Sequence, residues 1–191
     1  MASGQQRLIV GITGASGAIY GIRLLERLRD LEVETHLIVS RWARVTIEQE
    51  TDYDLAAVKA LADVVYGDDD QAAAVSSGSF LTRGMVIAPC STKTVAAIAN
   101  GLSHNLVSRA ADVVLKERRP LVLVVRETPL SAVHLANLTR LAELGVTIFP
   151  PAPAFYNRPQ TIDDIVGHTV LRVLDQLDFG LESDSRWTGL S

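Results

Sequence analysis

Arg126 and Glu127 stand directly after an apolar run at residues 121–125 that reads as a buried central strand. A charged pair there is either a satisfied rim ion pair or a site group. As site groups, Glu127 would act as a general base, and Arg126 would fork onto a phosphate or a carbonyl-rich ring. A second set follows Pro89, where Cys90-Ser91-Thr92-Lys93-Thr94 leads into a helix. Its hydroxyls suit helix N-caps, and with the helix N–H groups they also suit a ligand ring or phosphate. Cys90 reads as a small buried hydrophobe, since no histidine lies near it in sequence to activate a thiolate. The third set is Gly14-Ala15-Ser16-Gly17, between an apolar run at 8–12 and an amphipathic helix. Strand, small-residue turn and helix in that order aim backbone N–H groups and a positive helix end at one spot, where a phosphate would be neutralised without a lysine.

The spacing narrows the kind of phosphate. Glycines at 11, 14, 17 and 21 do not form Gly-x-Gly-x-x-Gly, and no Lys-Ser or Lys-Thr follows Gly17, so the P-loop is absent. The second strand, 33–39, ends at Ser40-Arg41, where a dinucleotide fold would place an acid for the ribose hydroxyls. NAD is therefore disfavoured, and a mononucleotide such as FMN fits better. Lys116, Arg118 and Arg119 most simply complement a helix C-terminus, and Arg172 flanks an apolar stripe as a solvated cation. His36, His104, His134 and His168 show no metal-ligand spacing, so no metal site is expected.

These groups need a frame. Helical periodicity predicts helices over 18–30, 41–50 (with Trp42, Val45 and Ile47 as apolar positions) and 54–62. Further helices are expected through Val95 and Ile98 to Asn100-Gly101, through Leu106 to Val114, over 133–144, and from Ile162 to Leu177. Strands are expected over 8–12, 33–39, 85–88, 121–125 and 146–149. Residues 63–83 read as irregular surface, the acidic run Asp68 to Asp70 included, and 150–159 as a proline-rich loop. Alternating strands and helices predict an α/β fold: one Rossmann-like, flavodoxin-like doubly wound parallel sheet in three α/β/α layers. The turns after the strands should then converge on one crevice.

The 191 residues are 48% hydrophobic and 21% charged, which fits one globular domain over 1–180 with a tail over 181–191 that includes Trp187. One cysteine excludes an internal disulfide and suits a reducing cytoplasm. No apolar run approaches the roughly 20 residues that span a bilayer. A net charge of −4 without a basic stripe disfavours nucleic acid.

The assembled motifs resemble the flavin prenyltransferases, formerly described as aromatic-acid or phenylacrylic acid decarboxylase-like flavoproteins. The matching segments are Thr13-Gly14-Ala15-Ser16-Gly17-Ala18, Ser77-Gly78-Ser79-Phe80, Pro89-Cys90-Ser91-Thr92, Arg109-Ala110-Ala111-Asp112-Val113, Leu115-Lys116-Glu117-Arg118-Arg119-Pro120, Arg126-Glu127 and Phe155-Tyr156. Ser40-Arg41-Trp42-Ala43, Asp70-Gln71-Ala72-Ala73 and Phe155-Tyr156-Asn157 are most similar to members that accompany bacterial hydroxyaryl-acid decarboxylases.

The resemblance implies FMN contacts at Gly14, Ala15, Ser16, Ser40, Ser91, Thr92, Lys93, Thr94 and Arg126. It implies that Lys116, Arg126, Tyr156 and Arg172 hold the phosphate of dimethylallyl monophosphate, some across a subunit boundary. It also implies catalytic roles for Ser16 and Glu50 near flavin N5, and for Glu127. Arg109 matches as well, with a structural or phosphate-binding role. The implied reaction joins a dimethylallyl group to N5 and C6 of reduced FMN without a metal. A homo-dodecamer would pass the prenylated FMN to a separate aromatic-acid decarboxylase. Three other readings share these features: a non-catalytic FMN-binding subunit of a hydroxyarylic acid decarboxylase, a direct flavin-dependent decarboxylase, and a phosphopantothenoyl-cysteine type decarboxylase. The last is disfavoured by Cys90-Ser91-Thr92-Lys93-Thr94, where that relative has Pro-Ala-Ser-Ala-Asn-Thr.

Overall fold

The computed structural model describes residues 7–181, so most of the tail, Trp187 included, lies outside the described residues. Six parallel strands form one sheet: β1 (Arg7–Ile12), β2 (Glu34–Val39), β3 (Val64–Tyr66), β4 (Gly84–Cys90), β5 (Leu121–Val125) and β6 (Thr147–Ile148). Their spatial order is β3-β2-β1-β4-β5-β6, so the winding reverses between β1 and β4. This is the expected doubly wound arrangement, and the reversal is where such sheets place their ligands.

Strand side chains alternate between two cores. Leu8, Val10 and Ile12 of β1 join Val86, Val122 and Val124 on one face. That face is covered by α1 (Ala18–Asp30), α2 (Arg41–Glu50), α3 (Leu55–Lys59) and α7 (Ile162–Asp175). Ile9, Ile38, Met85, Ile87 and Leu123 point the other way. There they meet α4 (Thr92–Ala99), α5 (Leu106–Lys116) and α6 (Ala132–Glu143). Three layers result, and every strand except β3 and β6 is buried on both sides.

Several local expectations are corrected. Residues 63–83 contain β3 and a 3-10 turn, Ala74–Ser76, and Val75 is buried in the second core. A three-residue strand is too short to show alternation, and β3 exists because it pairs with β2 from His36 to Ile38. The expected 54–62 helix shortens to α3, with the Asp54 side chain capping it at Ala57 N–H. Trp42 and Val45 face outward, and α2 packs through Ala43 and Ile47 instead. Ile162 is likewise exposed, and Leu177 is buried although α7 ends at Asp175.

Candidate active site

A cavity of about 570 Å³ opens at the carboxyl ends of the strands, inside the roughly 300–1,000 Å³ range usual for small-molecule sites. Three helices begin at its wall, and each is capped by its own side chain. Ser40 Oγ accepts from Ala43 N–H at α2, Ser91 Oγ from Thr94 N–H at α4, and Asn105 Oδ1 from Ser108 N–H at α5. A single cap satisfies one of the four free N–H groups at a helix start. The remaining first-turn donors and the aligned peptide dipoles make this wall attractive to anions.

The side chains strengthen that bias. Arg41, Lys93 and Arg126 line the cavity, and none joins an ion pair among the described residues. Arg126 also lies near enough to Tyr20 on α1 for its charge to oppose the rise that burial gives the Tyr20 hydroxyl pKa. Two carboxylates share the lining. Glu127 Oε1 accepts from Thr128 N–H at 3.1 Å and Oε2 from Thr92 Oγ1 at 3.5 Å, so Glu127 is held by neutral donors and not by Arg126. Asp68 Oδ2 accepts from Asn105 Nδ2 at 3.2 Å, and the Asp68 carbonyl from Leu106 N–H at 2.7 Å, which anchors the start of α5. The acidic run is therefore partly a wall of the cavity and not solvated surface throughout.

The glycine-rich turn has two structural jobs. Gly17 is the N-cap of α1 at φ 100°, a left-handed conformation that favours glycine, and it offers no capping side chain. Glu50, the last residue of α2, supplies the missing acceptor: its Oε2 takes Gly17 N–H at 2.7 Å and Ala18 N–H at 3.4 Å. These amides are thus satisfied by a carboxylate, which corrects the expectation that the positive end of α1 neutralises a phosphate. The anion-receptive helix starts facing the cavity belong to α2, α4 and α5. Gly14, the second position, lies against Trp42, where an added Cβ would come within 2.4 Å of the Trp42 Cβ.

Most of the residues expected at the site gather here. Gly14, Ala15, Ser16, Ser40 and Arg126 line the cavity, as do Ser91, Thr92, Lys93, Thr94 and Glu127. Glu50 stands just behind Ser16 through its hold on Gly17. Lys116, Tyr156 and Arg172 are not brought to the lining of their own chain. Lys116 ends α5 beside Glu117, about 16 Å of helix from the cavity-lining Asn105. The Tyr156 hydroxyl lies 3.3 Å from His168 Nε2, and Arg172 pairs with Asp175 at 3.3 Å. Arg109 pairs with Asp112 within α5. Cys90 is wholly buried, and burial pushes its thiol far above the ordinary range, so it is no nucleophile.

Sequence reasoning missed Thr13, Arg41, Trp42, Asp68, His104 and Asn105 as lining residues. Asn105 carried a usable signal, since Asn-x-x-Ser is a capping pattern. Asp68 and His104 carried none. Among the described residues, no group of three or more His, Cys, Asp or Glu side chains is placed to hold a metal, and no helix is long and apolar enough to cross a membrane.

Comparison with known proteins agrees with this geometry. Residues 1–174 match the flavoprotein family. The flavin prenyltransferase LpdB of Lactiplantibacillus plantarum is 57% identical over 185 residues, covering 96% of this chain and 99% of that one. The crystal structure of AnUbiX in complex with FMN and dimethylallyl pyrophosphate is similar at TM-score 0.94 and 51% identity, covering 98% of this chain and 100% of that one. A dodecameric FMN-dependent UbiX-like decarboxylase from Escherichia coli is similar at TM-score 0.93 and 58% identity, with 97% and 100% covered. A cavity built from the Gly14 to Ser16 turn, the α4 start and the Arg126-Glu127 pair therefore sits in a chain that belongs to the flavoprotein family, among the UbiX-like flavin prenyltransferases.

Proposed function

We propose that this protein joins a dimethylallyl group, taken from a dimethylallyl phosphate, to N5 and C6 of reduced FMN. The prenylated FMN then serves a separate aromatic-acid decarboxylase. The observation that carries the reading is the cavity's charge: three cations without carboxylate partners among the described residues and three helix starts, with Glu127 held by neutral donors. A site of that kind receives two phosphorylated ligands and keeps one base for a proton. The lining also fits a flavin, because Gly14 keeps the turn bare of side chain while Ser16, Ser91, Thr92 and Thr94 offer hydroxyls to the polar edge of a ring. Bound reduced flavin supplies the nucleophilic nitrogen and carbon.

The chain's own residues divide the remaining tasks. Arg126, Lys93 and the unfilled N–H groups of α2 and α4 hold phosphate oxygens and stabilise the leaving dianion. Ser16 would relay the proton lost from N5 to Glu50, which stands behind it at Gly17 N–H, and Glu127 would accept the one lost from C6. Lys116, Tyr156 and Arg172 are exposed and lie off the cavity of their own chain. Their phosphate role requires a neighbouring subunit, which supports a homo-oligomer, and we read it as a dodecamer. We place the protein in the cytoplasm, a reducing environment that a single free cysteine, Cys90, suits.

The test is anaerobic incubation with reduced FMN and dimethylallyl monophosphate or diphosphate, followed by weighing the released flavin. The expected product is heavier than FMN by one isoprene unit. An unchanged flavin mass with both donors refutes the reading.

A further inference from the structure

None of the residues in the Ser77-Gly78-Ser79-Phe80 motif lines the cavity. Its surroundings give the motif another task. Phe80 anchors one end: its ring meets the His36 ring edge-on at 5.0 Å, and the Arg7 guanidinium lies over it at 5.1 Å. Arg119, just past α5, fastens the backbone. It donates from Nη1 to the Phe80 carbonyl at 2.8 Å and from Nη2 to the Gly78 carbonyl at 2.7 Å. On this fastened turn rests the ion pair of Lys116 and Glu117. A Cβ added at Gly78 would collide with Glu117 Oε1 and stand 2.8 Å from Lys116 Nζ. Gly78 does not hold a positive φ, so the space above it, and not its backbone, requires a glycine.

We propose that Gly78 and Glu117 are positioning residues, which hold the Lys116 ammonium in one place for the phosphate of a donor bound in a neighbouring subunit. The proposal rests on the prenyl-transfer reading above and on Lys116 acting in trans. Lysine has a flexible four-carbon stem, and ordering such a side chain on binding costs affinity. Here the ordering is done before the donor arrives. An ammonium has three N–H donors; Glu117 takes one, and the others remain for phosphate oxygens. Lys116 in turn holds the Glu117 carboxyl below its ordinary pKa, so the pair stays charged. Stability does not account for the arrangement. Both side chains are open to solvent, 49% and 35% exposed, and such pairs contribute little to folding.

The test measures binding of dimethylallyl monophosphate by calorimetry to protein loaded with oxidised FMN, where no transfer competes, alongside KM and kcat with reduced FMN. Lys116→Ala should weaken donor binding by about tenfold or more, as expected for a lost charge-assisted hydrogen bond. Gly78→Ala and Glu117→Ala should each weaken it by about two- to tenfold, with FMN affinity and the urea midpoint unchanged. Glu117→Gln keeps an acceptor oxygen and should recover much of the loss. Neither Gly78→Ala nor Glu117→Ala should add to Lys116→Ala, because positioning has no object once the ammonium is gone. Additive losses, or losses that come with a lower urea midpoint, give the two residues a purely structural role and overturn the proposal. Unchanged or tighter donor binding in Glu117→Ala also overturns it, since the carboxylate would then be idle or compete with the phosphate. Wild-type binding in Lys116→Ala removes Lys116 from the donor, and the proposal with it, while leaving prenyl transfer itself standing. A wild-type protein that leaves flavin mass unchanged with both donors removes the proposed function, and the proposal with it.

Discussion

The Thr13 hydroxyl and Ser91 N–H are hydrogen-bonded at 2.9 Å across the point where the winding of the sheet reverses. The same hydroxyl donates to the Pro89 carbonyl at 2.8 Å, and Thr13 N–H reaches that carbonyl at 3.2 Å. One threonine, 2% exposed, thus ties the turn after β1 to the turn after β4, the two turns that form the floor of the site.

Thr13→Val keeps the shape and deletes the hydroxyl, leaving Ser91 N–H without its acceptor. The expected loss is about 1–3 kcal/mol of stability by urea unfolding, together with weaker FMN binding as the Ser91 turn shifts. Thr13→Ser should recover most of both. A valine variant with wild-type stability and FMN affinity would show that the link is incidental.

Glu127→Gln keeps the size of the side chain and its contacts with Thr92 and Thr128, but removes the base. Turnover should fall by about 10²–10⁴-fold with FMN affinity nearly unchanged. The same variant separates the transferase from a non-catalytic FMN-binding subunit, which would still activate a partner decarboxylase after the exchange.

Glu50→Ala uncovers Gly17 N–H at the start of α1. A lost helix cap of this kind costs about 0.5–2 kcal/mol, visible in the urea midpoint. Glu50→Gln preserves an acceptor oxygen and should restore much of that stability. Its turnover should stay low, because the amide cannot take a proton. Equal activity of Glu50→Gln and wild type would remove Glu50 from the chemistry.

Lys116 stands at the far end of α5 from the cavity, so its proposed action is in trans. Lys116→Ala and Glu127→Gln subunits, each inactive alone, should regain turnover when unfolded together and refolded as mixed oligomers. Mixtures no more active than their parents would place Lys116 outside the reaction or within its own chain.

His36 gives a pH dependence unrelated to catalysis. It is 2% exposed, with Nε2 at 2.9 Å from Glu34 Oε1 and Nδ1 at 2.9 Å from the Tyr66 hydroxyl. Burial lowers its pKa, against an opposing pull from Glu34. The unfolded chain protonates His36 near pH 6.5, above the folded value. Between those two values the unfolded state holds more protons, so this stability is full above about pH 6.5 and falls as pH drops through the folded pKa. Urea midpoints of wild type should decline from about pH 7 to about pH 5.5, and His36→Gln should flatten that part of the curve.

Legibility followed the range of the interactions. The strands at 8–12, 33–39 and 121–125 and helix α5 declared themselves, because burial on both sheet faces demands β-branched runs and amphipathic helices. Gly14 to Ser16, Ser91 to Thr94 and Arg126-Glu127 were readable as site groups because each follows a strand, and strand ends converge in this topology. Strand β3 was hidden, since only its pairing with β2 makes it a strand. Trp42 misled for a related reason: helical periodicity marks apolar positions, but Ala43 and Ile47 already fill the space beneath α2.

The amino-acid sequence by itself determined the layers, the order of the elements other than β3 and the polar turns at the strand ends, because hydrophobic period and turn chemistry act within a few residues. Tertiary structure alone decided which acceptor quiets the start of α1, where Glu50 arrives from 33 residues away, and that the Trp42 Cβ packs against Gly14. It also decided that Lys116 lies beyond the reach of its own site. Those three outcomes depend on how whole helices settle on the sheet, a matter of packing between distant segments that no local pattern encodes.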